Sequence, residues 1–351
     1  MRPAENEAGR LGEGRPGQRG LADKSGTSIT PTSYFGNSDL QAALDRARDE
    51  LGLVIKFPIT DGRLHRVPVD GGRPGNLDGA YRICLDAPAN VWAMNYKTGA
   101  KGTFSFGGQM KLSPFERREL AARVEDDRRG REAEQRKAWD MAAQKAERIY
   151  SDARHRPDGH PYLTAKGVKP HFRLRVSGRD LIAPLYDSFG VLRSLQFIDP
   201  AGQKRFLKGG RKSGCSLTLD SGKSDRNGPL LICEGVSTGL SLLQATGFEI
   251  RVAFDASNLR PVAMAARKDW PSREIILAAD NDAGGGFNVG LEKGREAALA
   301  IGGKLAVPFF SGKDRCAYVD FNDVFVAEGA AAVKFIINMA FEPGKGSGHV
   351  A

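Results

Sequence analysis

Two aspartates separated by one residue, Asp280 and Asp282 in the run AADNDAGG, are the residues of this sequence best spaced for chemistry. Carboxylates at i and i+2 leaving a strand can lie on one side of a loop and offer oxygen ligands to a hard divalent cation such as Mg2+. Another acid, Glu234, follows the apolar run LLIC and precedes Gly235, where backbone or substrate can come close. A third acidic group, Asp320 and Asp323 in DFND, follows the apolar run of 304–309 after a loop. Taken singly, each acid also reads as a turn former or helix cap, and Asp282 can cap the helix after it. Three acidic sites at successive strand ends are what a shared site requires and what turn formation alone does not.

Those acids need a scaffold that brings strand ends together. From 229 onward the apolar runs LLIC, IRVAF, EIILAA and KLAVPF alternate with the helical windows STGLSLLQATG, LRPVAMAARKDW and GLEKGREAALAIGG. This is the pattern of β-α-β units around a parallel sheet, so the fold class expected is α/β, with a parallel sheet flanked by helices over 228–335. In such sheets ligands bind beyond the carboxyl ends of the strands, where the acids stand. A smaller α+β subdomain is expected over 156–227, with strands at LIAPLY, LRSLQFI and KRFLKG. Ser113, Pro114 and Glu116 form a capping box that opens a charged connecting helix over 113–155. Residues 38–112 read as a small β-rich module of hairpins, and 1–37 and 336–351 as a disordered and a flexible tail.

Charge and cysteine usage narrow the partners. The chain of 351 residues carries a net charge of +10, and residues 160–212 alone hold eleven Lys or Arg against three Asp. Within that stretch Lys204, Arg205, Lys208, Arg211 and Lys212 lie among glycines where backbone can approach phosphates, which predicts nucleic-acid or nucleotide binding. The four cysteines are scattered singly, so no zinc is expected. No long apolar run or secretory leader is visible, and the expected compartment is the cytoplasm, with no membrane contact. Gly222-Lys223-Ser224 ends like a phosphate-binding loop, but Leu217 stands where its first glycine belongs, so no motor is expected. Trp92, Tyr96, Phe104 and Phe106 either fill a small β core or stack on single strands.

Residues 228–330, through ICEGVSTGLSL and AADNDAGG, resemble the Toprim domain shared by bacterial-type primases, topoisomerases and certain nucleases. More loosely, HPYLTAKGV, LRSLQFID and QKRFLKGGRKSG resemble the segment preceding Toprim in primase-helicase proteins of phages and mobile elements, a basic subdomain that guides template and nucleotides. The resemblance implies that Glu234 is a general acid or base, that Asp280 and Asp282 hold Mg2+ (or Mn2+), and that Asp320 or Asp323 is a further acid. Lys293, one turn into the helix after the paired aspartates, would face the same phosphates or remain an exposed helix lysine. The implied protein is a DNA primase of phage or plasmid replication that makes short RNA from ribonucleoside triphosphates on single-stranded DNA template, beside a separate replicative helicase. A Toprim nuclease and a non-catalytic single-stranded-DNA-binding accessory are the alternatives. Bacterial replicative primases usually begin with a zinc ribbon, for which this sequence has no cysteines, and a topoisomerase would need a strand-passage domain for which there is no room.

Overall fold

The computed structural model describes residues 37–85, 89–107, 114–155, 157–222, 228–281, 288–309 and 320–344, in two compact units, 1–117 and 118–351. In the first unit, helix α1 (Asn37–Leu51) precedes an antiparallel sheet of β1 (His65–Val67), β2 (Gly79–Cys84), β3 (Asn90–Asn95) and β4 (Lys101–Ser105), in that spatial order. Strand alternation turns Tyr81, Ile83, Val91, Ala93 and Phe104 to one face, where Ala43, Leu44, Ala47 and Leu51 of α1 pack on them. The helix was not foreseen in a module read as β-rich, although Leu40, Ala43, Leu44, Ala47 and Leu51 keep helical spacing. Phe104 and Phe106 are core residues, whereas Trp92 faces the other side of the sheet.

The second unit begins within α2 (Pro114–Asp152), whose charged first half leads into a packed end where Ala142, Ala146 and Tyr150 meet Ile182, Leu195 and Phe197. An antiparallel sheet follows, ordered β5 (Arg154–His155), β6 (Arg175–Ser177), β7 (Asp180–Tyr186), β8 (Leu192–Ile198) and β9 (Lys204–Phe206), with the short α3 (Pro161–Ala165) before β6. The chain then runs β10 (Leu217–Leu219), β11 (Leu230–Cys233), α4 (Val236–Thr246), β12 (Glu249–Val252), α5 (Ala256–Asp269), β13 (Ile275–Ala278), α6 (Val289–Ile301), β14 (Lys304–Ala306), α7 (Phe321–Glu328) and α8 (Ala330–Asn338). Its sheet is ordered β10-β12-β11-β13-β14; the last four strands are parallel and β10 is antiparallel. LLIC and IILA are buried along their whole length because helices cover both faces of a parallel sheet.

Two features differ from the sequence expectation. Strand β10 comes from the segment assigned to the preceding subdomain, yet it is the edge strand of the mixed sheet, and Ser216 beside it pairs with Tyr186 of β7. One core joins Val176, Leu181 and Leu185 of the antiparallel sheet to Leu217, Leu231 and Val252 of the mixed sheet, so the two pack as one body. At the other end, the stretch from 336 read as a tail continues α8 to Asn338, and Phe341 exchanges backbone hydrogen bonds with Leu305. Ile336 and Ile337 are buried in the shared core, which fixes that end. Ser113, Lys223 and Ser224 lie outside the described residues.

Candidate active site

Strands β11 and β13 are parallel neighbours with Cys233 opposite Ala278, so Glu234 and the Ala279-Asp280 pair leave the sheet side by side. The carbonyl of Glu234 accepts a hydrogen bond of 2.8 Å from the N–H of Phe254 just past β12. Phe254 adopts a φ of 72°, a left-handed conformation that a bulky side chain takes only under constraint. Gly235 is the N-cap of α4 and brings no side-chain cap, so the positive end of that helix lies next to Glu234. A Cβ on Gly235 would stand 3.1 Å from Thr238 Oγ1 and 4.0 Å from Lys204 Nζ. The ammonium of Lys204 therefore reaches the carboxyl end of β11.

Asp280 is held from the far side by α6. A Cβ on Gly290 would meet the Asp280 carbonyl oxygen at 3.0 Å and the Asp280 Cβ at 3.1 Å, so only glycine lets the helix start this close. Asn288, the N-cap of α6, donates from Nδ2 to Asn281 Oδ1 at 2.7 Å and accepts from the Leu291 N–H at 3.0 Å. This link joins Asn281 to Asn288; residues 282–287, Asp282 among them, lie outside the described residues.

DFND divides its labour residue by residue. Asp320 caps α7, its Oδ1 accepting from the N–H groups of Asn322 and Asp323 at 2.7 and 3.0 Å, while Asp323 accepts from the Asp320 N–H at 3.2 Å. Phe321 is buried, and Asn322 donates to Ser241 Oγ of α4 at 3.0 Å and to the Lys166 carbonyl at 2.8 Å. Asn322 was missed by sequence reasoning; a small amide between a buried aromatic and an acid was the available signal.

The thiol of Cys233 is wholly buried at the end of β11. Burial drives its pKa well above the ordinary value, and the nearby carboxylates of Asp280, Asp320 and Glu234 raise it further. Among the described residues no group of three or more His, Cys, Asp or Glu is placed to hold a metal ion together. Mg2+ does not need such a cage, because one or two carboxylates suffice when water and phosphate oxygens complete its octahedron. An all-oxygen donor set of Asp280 with Asp282 two residues on fits that pattern.

The basic run separates into two kinds of residue. Arg205 pairs with Asp180 and lies over Phe197 at 4.5 Å, and Arg211 lies over Trp139 at 5.7 Å. Lys212 pairs with Asp255, the N-cap of α5, and lies over Phe206 at 4.6 Å. Burial works to raise the Asp255 pKa, yet hydrogen bonds from Lys212, Ser257 and the Asn258 N–H bring it below the ordinary carboxylate value. Lys204 and Lys208 are exposed and have no acidic partner among the described residues. Lys293 is a half-exposed lysine on α6 paired with Glu296 at 2.8 Å.

Residues 229–331 match the family model for the Toprim domain. This part of the chain is a Toprim domain. It carries Glu234, Asp280, Asp282, Asp320 and Asp323, with Lys204 reaching it from the preceding sheet. The chain is also similar to DNA primase TraC of Escherichia coli, 34% identical over 295 residues that make up 82% of this chain and 20% of that protein. A second DNA primase TraC of Escherichia coli is 30% identical over 309 residues, 84% of this chain and 28% of its own length. The chain thus spans between about a fifth and somewhat more than a quarter of these relatives. Among solved structures, the primase fragment of the bacteriophage T7 primase-helicase matches 54% of this chain and 77% of its own, with a TM-score of 0.39 and 18% identity. The DnaG primase catalytic domain bound to ssDNA matches 60% of this chain and 81% of its own, with a TM-score of 0.40 and 14% identity.

Proposed function

We propose that this chain is the catalytic part of a DNA primase, which makes short RNA primers on single-stranded DNA from ribonucleoside triphosphates during replication of a phage or plasmid. The observation that carries the reading is that Glu234 and Asp280 leave the ends of neighbouring parallel strands side by side in a Toprim domain. Similarity to the DNA primase TraC over more than four-fifths of the chain supports it.

In this reading Asp280 and Asp282 hold Mg2+ (or Mn2+), with Asp320 or Asp323 of the α7 capping box as the further acid. The bound ion supplies charge stabilisation at the phosphates. Glu234, fixed through its carbonyl by Phe254 and set before the positive end of α4, takes the proton of the attacking 3′-hydroxyl. Lys204 meets phosphate oxygens at the end of β11, and Lys208 continues the contact along the strand. Arg205, Arg211 and Lys212 act chiefly by holding the basic segment in place through Asp180, Trp139 and Asp255. Lys293 would have to leave Glu296 to reach a phosphate. Unwinding is left to a separate replicative helicase. No helix among the described residues is long and apolar enough to cross a membrane, and the reading assigns the protein to the cytoplasm.

The test is incubation with single-stranded DNA, labelled ribonucleotides and Mg2+. Short template-directed RNA is expected. Template cleavage without RNA would establish the nuclease instead, and DNA binding with neither product would establish the accessory.

A further inference from the structure

The outer edge of β10 is engaged on either side of one residue and open at that residue. Ser216 exchanges backbone hydrogen bonds of 2.8 and 3.0 Å with Tyr186 of β7, and the Asp220 carbonyl accepts from His171 Nε2 at 2.9 Å. Peptide groups along a strand turn to alternate edges, so Thr218, midway between the two, directs its N–H and C=O to this same edge. Neither group has a partner among the described residues. The gap opens into a cavity of about 290 Å3 between the β7–β8 turn, Arg173 and α5. Strand alternation turns the Ser216 and Thr218 side chains into it, away from the buried Leu217 and Leu219, and Arg251 stands opposite Thr218 on β12. The lining acid, Asp187, is already engaged: its carboxylate accepts from Arg193 Nε at 2.7 Å and from the N–H groups of Phe189 and Val191 at 3.0 Å. Two further acids stand by the arginines, Asp220 at 3.6 Å from Arg173 and Asp269 at 3.3 Å from Arg251. The first distance is too long for a hydrogen bond, and Asp269 offers one oxygen to two nitrogens of Arg251, so both guanidinium forks keep donors to spare. Charge around the cavity is close to balanced; what it holds in excess is hydrogen-bond donors.

We propose that this cavity binds a free phosphate-class oxyanion, inorganic phosphate or pyrophosphate, held by Arg173, Arg251, the Ser216 and Thr218 hydroxyls and the Thr218 N–H. The ligand follows from the donor excess. A guanidinium fork, hydroxyls and a main-chain N–H are donors of the kinds that converge on phosphoryl oxygens, and a phosphoryl group presents acceptors in several directions at once. Size sets the limit: the cavity lies just under the roughly 300–1,000 Å3 usual for drug-sized ligands, which favours a small ion. The proposal does not rest on the catalytic reading, since none of the residues assigned to the Toprim site lines this cavity.

The test uses the full chain without nucleotides or divalent metal, and reads binding of inorganic phosphate and of pyrophosphate by titration calorimetry and 31P NMR. Saturable binding of at least one anion, one per chain, is expected, and the tighter of the two shows whether the cavity is fitted to one phosphoryl group or to two. Arg173→Gln should weaken it by about tenfold or more, because a charged hydrogen-bond donor is lost. Thr218→Val, which keeps the shape and the β-branch on an edge strand, should weaken it by roughly threefold to tenfold. Lys204→Ala with Lys208→Ala should bind the anion as the wild type does, which separates this cavity from the basic segment beside the Toprim strands. Absence of saturable binding of either anion overturns the proposal, as does wild-type affinity in folded Arg173→Gln and Thr218→Val, or loss of binding in the double lysine variant alone. If Arg173→Gln loses its fold, Thr218→Val decides.

Discussion

Gly294 lies in the middle of α6, where glycine costs roughly 0.5–1 kcal/mol relative to alanine. Alanine there is nevertheless expected to destabilise the protein. Its Cβ would stand 2.5 Å from the Ala279 Cβ and 3.5 Å from Leu305 Cδ1. Carbon atoms rest at about 3.5–4.0 Å, so the two methyl groups must separate by about 1 Å or more. Ala279 is held in the sheet by its N–H bond of 3.0 Å to the Ala306 carbonyl, so the helix is the part that moves. Overpacking of this kind costs about 1–3 kcal/mol, and a separation as short as 2.5 Å belongs toward the upper part of that range, which leaves a net loss of up to about 2.5 kcal/mol after the helix gain. For a unit of this size that lowers Tm by up to about 10 °C. Gly130→Ala in α2 is the control: a Cβ there meets nothing within 4 Å, so only the helix gain remains. Retreat of α6 also draws Gly290 away from Asp280, so Gly294→Ala should lose turnover even at temperatures where it is fully folded. Thermal melts followed by circular dichroism, with primer synthesis below the transition, check both effects. A Gly294→Ala protein as stable as the wild type would refute the seating of α6 on Ala279.

Three further outcomes follow from the same geometry. Asp320→Ala and Asp323→Ala should each cost about 1 kcal/mol by opening the capping box of α7, and at least one of them should strongly reduce turnover; wild-type turnover in both, compared at matched folded fractions, removes this pair from the site. Burial works to raise the Asp187 pKa, but Arg193 and the N–H groups of Val191 and Phe189 hold it below the ordinary carboxylate value. Its stabilisation is therefore present above the unfolded pKa and lost as pH falls through the folded one, and denaturant titrations should show a shallower acid limb in Asp187→Asn than in wild type. Lys204→Ala with Lys208→Ala should lower the salt slope of single-stranded DNA binding by about 0.7 for each lost phosphate contact. Arg205→Ala, whose guanidinium is engaged by Asp180, should change it less, and an unchanged slope in the double variant would move the DNA track elsewhere.

The parallel core was the most legible part of the fold. Strands buried on both faces must be apolar throughout, so LLIC and IILA stand out, and the acids that follow them mark the strand ends. Strand β10 was hidden because its three residues, Leu217–Leu219, give too short a pattern, and its partner β12 lies thirty residues away across a helix. Helix α1 was hidden by its neighbours: its apolar spacing is sound, but the hairpin signals after it dominated the reading. Glu234 and Asp280 could be found from type and position alone. The parts that place them could not: Phe254 and Gly290 act through backbone conformation and close approach, and Asn322, which ties α7 to α4, through a buried amide, none of which has a sequence period. The basic run was visible as composition, but its division into paired and unpaired members depends on Asp180 and Asp255, which come from other elements.

The central claim, that Glu234 and Asp280 work in one primer-synthesising site, is tested most directly by template-directed ribonucleotide incorporation in folded Glu234→Gln and Asp280→Asn proteins beside the wild type. The wild type should make short RNA. Glu234→Gln should lose about a hundredfold or more in turnover with single-stranded DNA affinity unchanged. Asp280→Asn should fall to background while its thermal stability without metal holds or rises, because one carboxylate is removed from a cluster of like charges. Incorporation at the wild-type rate by either variant would contradict the account.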